Sequence, residues 1–258
     1  MNIYLINALI ALAAIAVGYF VGSIPTGVII GKVFFHQDPR DLGSHNSGGT
    51  NIARSFGKKF GVLVIFLDMI KALIPVFVIW SICQFTPLNE YMNWGVQVGN
   101  SVIGGGKTWY WLAGLFSAIG HCWPIYIHFK GGKAVACFMG LNCFTSWIQF
   151  VLSGFSYLFL AKKTKYISLT SIIVSGIAAV VAWTIFVIEV SVPSDVFNTS
   201  IFLWSFGFEP FIKYGFEYAI MDTAITVLLI LRHKTNIKRL KNHTESLNPF
   251  SKESKVEN

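Results

Sequence analysis

The run from Asp38 to Arg54 gathers serine, asparagine, threonine and glycine around two arginines, Arg40 and Arg54, between two long apolar segments. Glycines let backbone N–H groups approach a ligand, hydroxyls and amides add donors, and a guanidinium matches phosphate oxygens with its planar fork. Such a loop at a membrane surface suits the grip of a phosphate ester. Turns use the same residue types, so the loop alone does not separate a site from a plain connection. A second polar stretch has His121-x-x-Pro124, then Phe129-Lys130-Gly131-Gly132-Lys133-Ala134 ahead of another apolar segment. Paired glycines before a helix start expose backbone donors, the helix dipole favours an anion there, and Lys133 adds a full charge. The G-x-x-x-x-G-K-[ST] spacing of a P-loop is missing. A third stretch, Lys165 to Ser171, carries Ser168, which on its own is more commonly a helix cap. The chain closes with Arg232-His233-Lys234-Thr235-Asn236-Ile237-Lys238-Arg239-Leu240 and, beyond it, Glu245. By itself this run suits a basic flank pinned to anionic lipid.

These stretches need a scaffold, and the composition says which kind. The 258 residues are 54% hydrophobic and only 12% charged, against roughly 25% charged in a soluble domain, so the chain is expected to live in lipid. The net charge of +8 is no nucleic-acid footprint, because the basic residues fall in short loops beside apolar spans. The first 22 residues are apolar and no Lys or Arg precedes Lys32, which fits a retained membrane helix better than a signal peptide. Cys83, Cys122, Cys137 and Cys143 lie in or beside apolar segments without C-x-x-C spacing; buried thiols are expected, and no metal or cofactor.

Segments long enough to cross about 30 Å of hydrocarbon fall at roughly 3–24, 60–85, 109–129, 167–189 and 211–231. The stretch Ala134–Ala161 exceeds one crossing and falls short of two ordinary ones. Lys130 and Lys133 precede it, and Lys162, Lys163 and Lys165 follow. The positive-inside rule puts both clusters in the cytoplasm, which requires an even number of crossings. The spacing therefore predicts two short helices broken near Asn142–Ser146. The expected fold is an all-α integral membrane protein of about seven helices, with the N-terminus outside and the C-terminus cytoplasmic. All Lys and Arg except Lys71, Lys107 and Lys213 then face the cytoplasm, while Glu90, Glu189, Asp195 and Glu209 lie outside. Residues 1–245 form one membrane domain, and 246–258 a polar cytoplasmic tail.

Five segments carry a resemblance: Gly22-Ser23-Ile24-Pro25-Thr26-Gly27, Gly43-Ser44-His45-Asn46-Ser47-Gly48-Gly49-Thr50-Asn51, His121-Cys122-Trp123-Pro124, Phe129-Lys130-Gly131-Gly132-Lys133 and Arg232-His233-Lys234-Thr235-Asn236-Ile237. In order and spacing the chain from about 18 to 245 resembles the bacterial membrane glycerol-3-phosphate acyltransferase family, PlsY. Members of that family are seven-helix enzymes that use acyl phosphate to acylate glycerol 3-phosphate. The resemblance implies a multi-pass protein of the bacterial plasma membrane with its site on the cytoplasmic face. It implies Ser44, Arg54, Lys133, Ser168, His233 and Asn236 as catalytic residues and Glu245 as a structural one. Asn46, Thr50 and Asn51 match the first motif as phosphate donors, with Gly131 and Gly132 in the second. His45 stands where the family usually has Gly, Gly49 where Ala is common, and Ala134 and Cys137 where Gly and Thr are usual.

The chemistry agrees with the residues. An acyl phosphate is a mixed anhydride whose phosphate leaves easily, so no covalent acyl-enzyme is required. Two anionic substrates must be held together, and Arg54, Lys133 and Arg40 supply positive charge; positioning and charge stabilisation carry the rate. His233 or a substrate phosphate takes the hydroxyl proton, a choice the sequence leaves open. The product is lysophosphatidate, at the first acylation of phospholipid synthesis. His36-x-x-x-x-Asp41 matches the H-x4-D signature of another acyltransferase class, but no later block of that class follows. The alternative is a transporter of a phosphorylated metabolite. It calls for charges lining a path at mid-membrane, where only Asp68, Lys71, Glu217 and Asp222 are candidates.

Overall fold

The computed structural model describes residues 2–92, 95–99, 101–103, 109–145, 147–192 and 215–250. Its long helices are α1 (Ile3–Gly22), α4 (Lys58–Phe85) and α8 (Ile167–Ser191). With them pack α5 (Tyr110–Cys122), α6 (Val135–Thr145), α7 (Trp147–Thr164) and α9 (Phe216–Arg232). Three short helices lie between or after these: α2 (Thr26–Phe35), α3 (Gly49–Phe56) and α10 (Lys234–Lys241). Among the described residues the only sheet is a hairpin, β1 (Val96–Val98) antiparallel to β2 (Ser101–Ile103), with Val96 opposite Ile103. The segments Ile3–Phe35, Lys58–Phe85 and Ile167–Ser191 are long and apolar enough to cross a membrane.

The burial pattern is that of a protein surrounded by lipid. Large apolar side chains face outward along the helices, as at Leu5, Leu12, Phe66, Val180 and Val227, where hydrocarbon costs them nothing. Inside, small residues let helices approach. A β-carbon on Gly18 or Gly22 would collide with the α5 backbone at Ala113 or Ser117, and one on Gly120 with that of Tyr19. Close backbone contact of this kind replaces the hydrophobic drive that lipid removes. Around it Tyr110, Trp111, Phe138, Leu141, Tyr218 and Leu229 form one buried cluster.

Two polar clusters sit among these helices, and each closes a break. Pro25 cannot continue α1, and the Ile24 carbonyl, bonded by Thr26 N at 3.0 Å, also accepts from the Lys71 ammonium at 2.8 Å. Lys71 also pairs with Asp68 at 2.8 Å, and the Thr26 hydroxyl donates to that same carboxylate. Two of the four mid-membrane charges on which a transporter would rest, Asp68 and Lys71, therefore neutralise each other. At the second break, between α6 and α7, Asn142 donates to Asp222 at 3.0 Å and accepts from Gln149 and Tyr218, each at 2.7 Å. The short pair is thereby tied to α9.

The predicted break near Asn142–Ser146 coincides with the α6–α7 junction. The span expected at 109–129 is helical only over Tyr110–Cys122, because Pro124 stops it. Helices α2, α3 and α10 lie in stretches read from sequence as loops or flanks. Part of the expected tail, 246–258, packs on the bundle. Asn248 is buried, and its backbone N–H donates to the Lys165 carbonyl at 2.8 Å. Residues 193–214, most of the outer loop, and 251–258 lie outside the described residues.

Candidate active site

One cavity of about 400 Å³ opens at the end of the bundle where the short helices gather. Ser44, Asn46, Thr50, Asn51 and Arg54 reach it from the α2–α3 loop and α3, and Lys133 from the α5–α6 loop. Ser168 enters from the start of α8, His233 and Asn236 from the α9–α10 junction, and Glu245 from beyond α10. Val135 and Met139 near the start of α6 and Leu158 and Ala161 near the end of α7 line the same cavity. The short pair thus leaves this end of the bundle and returns to it.

Glu245 ties the group together. Its Oε1 accepts from Ser168 Oγ at 2.9 Å and from Asn236 Nδ2 at 2.7 Å, and its Oε2 from Arg239 Nε at 2.7 Å. Burial alone would raise this carboxyl, but the hydrogen bonds from Arg239, Asn236 and Ser168 outweigh it and hold it below the usual range. Asn236 in turn accepts from Lys133 Nζ at 2.7 Å. Burial, helped by repulsion from Arg239, Arg54 and Arg232 and opposed by Glu245, lowers the Lys133 ammonium to about 8.

His233 is buried, and its Nδ1 lies 2.8 Å from the Leu229 carbonyl. A carbonyl only accepts, so Nδ1 carries the proton and the neutral ring keeps a lone pair on Nε2. Burial and then the charge of Lys133 push this imidazole down to about 4, so it is neutral near pH 7. Arg54 is lowered from its ordinary value by burial and stays charged; its Nη2 donates to the Leu247 carbonyl at 3.1 Å. Arg54 and Lys133 face Glu245 and Asp68 in the lining, and with Arg239 and Arg232 close behind positive charge exceeds negative at this end, as an anion-binding site requires.

Within the first loop the polar residues divide their work. The Asn51 side chain accepts from Ser44 N at 2.7 Å and Ser44 Oγ at 3.0 Å, and donates to the carbonyls of Pro39, Leu42 and Asn46. Its amide is committed to shaping the loop, which differs from the expected phosphate donor. Arg40 is likewise engaged, bonded twice to Asp38 and once to the Ile127 carbonyl, and does not line the cavity. His45 sits at φ +55 and Ala134 at φ +60, a region where a side chain costs about 1–2 kcal/mol. That strain accounts for glycine being usual at both places in the resembling family.

Gly131 and Gly132 also depart from expectation: neither lines the cavity. The Gly132 N–H donates to the His121 carbonyl at 3.0 Å, and the carbonyls of Gly131 and Gly132 both accept from Arg232. A β-carbon on either would strike His121 or Pro124. Close packing, rather than phosphate contact, is what requires glycine here. Sequence reasoning also missed cavity-lining Asp68, His121, Asn248 and Phe250. His121 stood in a recognised motif and Asp68 stood out as a charge within an apolar span; Asn248 and Phe250 carried no signal.

The chain is similar to known proteins over most of its length. A family model described as glycerol-3-phosphate acyltransferase matches residues 12–243. The glycerol-3-phosphate acyltransferase of Staphylococcus haemolyticus is 34% identical over 224 residues, 86% of this chain and 90% of that protein. That of Lactococcus lactis is 33% identical over 247 residues, 94% of this chain and 95% of its own length. Among solved structures, the glycerol 3-phosphate form of PlsY, an integral membrane glycerol 3-phosphate acyltransferase, superposes with a TM-score of 0.67 at 26% identity. That match covers 96% of this chain and 99% of the other. The lysophosphatidic acid form of PlsY gives 0.63 over 92% of this chain and 94% of the other.

The loop geometry makes a direct prediction about stability. Asn51→Leu takes the acceptor from both Ser44 donors and a donor from three loop carbonyls, of which those of Pro39 and Leu42 keep a backbone partner, and is expected to cost roughly 2–4 kcal/mol. Thr50→Ala, which only trims a cavity-facing hydroxyl, is expected to change stability by less than about 0.5 kcal/mol. Thermal unfolding of the two variants in detergent checks this; equal losses would deny Asn51 its organising role.

Proposed function

The chain belongs to the glycerol-3-phosphate acyltransferase family, and we propose that it transfers an acyl chain from an acyl phosphate to glycerol 3-phosphate. The observation that carries this reading is the mixed lining of the cavity. Arg54, Lys133, Ser168, His233 and Asn236 line it together with apolar Val62, Ile65, Met139 and Leu158. A ligand with a phosphate head and an acyl chain matches both kinds of lining.

In the proposed reaction a glycerol hydroxyl oxygen attacks the acyl carbon. The bond from that carbon to the phosphate oxygen breaks, and inorganic phosphate leaves with lysophosphatidate as the other product. Arg54 and Lys133 offset the repulsion between the two phosphates and stabilise charge on the departing one. His233 accepts the hydroxyl through Nε2 and aims it. With its imidazole held near about 4, His233 is a weaker base than a phosphate monoester, whose second pKa is about 6. This favours a phosphate oxygen as the proton acceptor. Ser44, Asn46 and Thr50 supply further donors from the first loop.

We read α1 and α4 to α9 as seven crossings, α5 and α6 being short, with α2, α3 and α10 gathered at the cytoplasmic surface. Support comes from the lysines that border the cavity end, at Lys58, Lys59, Lys162, Lys163, Lys234 and Lys238. On this reading both substrates meet at the inner face of the plasma membrane.

Arg54→Ala and Lys133→Ala are each expected to lower kcat/KM for glycerol 3-phosphate by about 10- to 150-fold, the value of one charge-assisted hydrogen bond. Below about 8 the Lys133 amine is charged, and as pH rises through that value the charge is lost. The alkaline limb of kcat/KM is therefore expected to fall with an apparent pKa of about 8. Lys133→Arg keeps its charge and moves the limb upward while running more slowly. A limb unchanged in Lys133→Arg would assign it to another group.

The donor is tested by incubating purified protein with glycerol 3-phosphate and either palmitoyl phosphate or palmitoyl-CoA, and measuring lysophosphatidate. Turnover with the acyl phosphate and little with the thioester is expected. Equal or faster turnover with the thioester would overturn the acyl-phosphate reading while leaving acyl transfer intact.

A further inference from the structure

The segment between Cys122 and Val135 delivers Lys133 to the cavity, yet it contains little regular structure. Its one short turn spans Ile125–Ile127, and His128, Phe129 and Ala134 all adopt positive φ. A loop of this kind moves unless something holds it. Here the holding group comes from a distant part of the chain. Arg232, the last residue of α9, donates through Nε to the Gly132 carbonyl and through Nη2 to the Gly131 carbonyl, both at 3.2 Å. Its guanidinium lies 5.2 Å from the centre of the Trp123 ring, a cation–π contact at the other end of the same loop.

We propose that Arg232 is a positioning residue for Lys133: its fork clamps the Gly131–Gly132 carbonyls to the α9–α10 junction that carries His233 and Asn236. Two donors on one edge of a rigid plane match two successive carbonyls, which a single lysine ammonium cannot reproduce in the same geometry. A basic residue at a helix end beside lipid ordinarily reaches for headgroups; Arg232 is instead half-buried and turned inward. The clamp also gives the paired glycines a purpose. They present carbonyls to Arg232 while fitting against His121 and Pro124, where no β-carbon has room. The Lys133–Asn236 bond of 2.7 Å then spans two segments whose separation Arg232 sets. The consequence for catalysis rests on the proposed acyl transfer; the clamp itself does not.

Arg232→Gln and Arg232→Lys are compared with the unaltered protein in detergent. The acetylation rate of Lys133 by an amine-reactive ester is followed by peptide mass spectrometry at a pH of about 9.5, above the Lys133 value of about 8. Lys71, buried in α4, serves as the fold control. Arg232→Gln is expected to speed Lys133 labelling by ~10-fold or more and to raise KM for glycerol 3-phosphate by a similar factor, with a smaller change in kcat. Arg232→Lys is expected to fall short of restoring either. Unchanged Lys133 labelling in Arg232→Gln, or full restoration by Arg232→Lys, overturns the clamp. If Lys71 labels in Arg232→Gln, that variant has unfolded and Arg232→Lys decides: normal labelling refutes the clamp and faster labelling supports it. Absence of glycerol 3-phosphate turnover in the unaltered protein would defeat the proposed function, and the labelling arm would still judge the clamp.

Discussion

A single carboxylate organises the cavity end of this protein. The Glu245 side chain is only 5% exposed, so its charge stands largely outside water and depends on the donors around it. Those donors come from Ser168 on α8 and from Asn236 and Arg239 on α10. Through Asn236 the chain of bonds extends to Lys133 on the α5–α6 loop. Losing one partner of a buried, hydrogen-bonded charge costs several kcal/mol, so these elements are held to each other in a way apolar packing at a loop-rich end could not match. The same carboxylate keeps the cations from repelling each other apart before an anion arrives.

The rest of the bundle makes this arrangement possible. Glycine contacts bring α1 against α5, which sets where the loop after α5 begins. The Lys71–Asp68 pair satisfies the break after α1, so that α2 turns away and the first loop returns over the cavity. The Asn142–Asp222 contact holds α6 and α7 as an out-and-back pair, which carries Lys133 and Ser168 to the same end. Both of these polar clusters sit at breaks between helices, and each break redirects the chain toward the site.

Much of this was legible in the residues. Apolar length located α1, α4, α8 and α9, and the lysines flanking 134–161 indicated a segment that returns to its starting side. Ser44, Arg54, Lys133, Ser168, His233, Asn236 and Glu245, expected from motif resemblance, meet around one cavity. What hydropathy could not register was geometry within apolar or polar stretches. Pro124 ends α5 early, α3 forms inside a run that looks like a loop, and residues 247–250 pack although their composition suggests a free tail. The glycine pair shows a different limit. Glycine before a helix start suits phosphate capture, and only the fold reveals that these backbones bond Arg232 and His121. Asn51 illustrates the same limit, since an amide that binds substrate and one that binds its own loop have identical sequence.

The central claim is that organisation by Glu245, and not the sum of positive charge, makes the cavity competent. Glu245→Gln separates the two most directly, because it leaves the shape nearly unchanged while making the site more positive. Steady-state turnover of this variant with an acyl phosphate and glycerol 3-phosphate is the decisive measurement. The account predicts a fall in kcat of about tenfold or more, since Arg239 loses its ionic partner and Ser168 and Asn236 lose their charged acceptor. Turnover equal to or above that of the unaltered protein would contradict it.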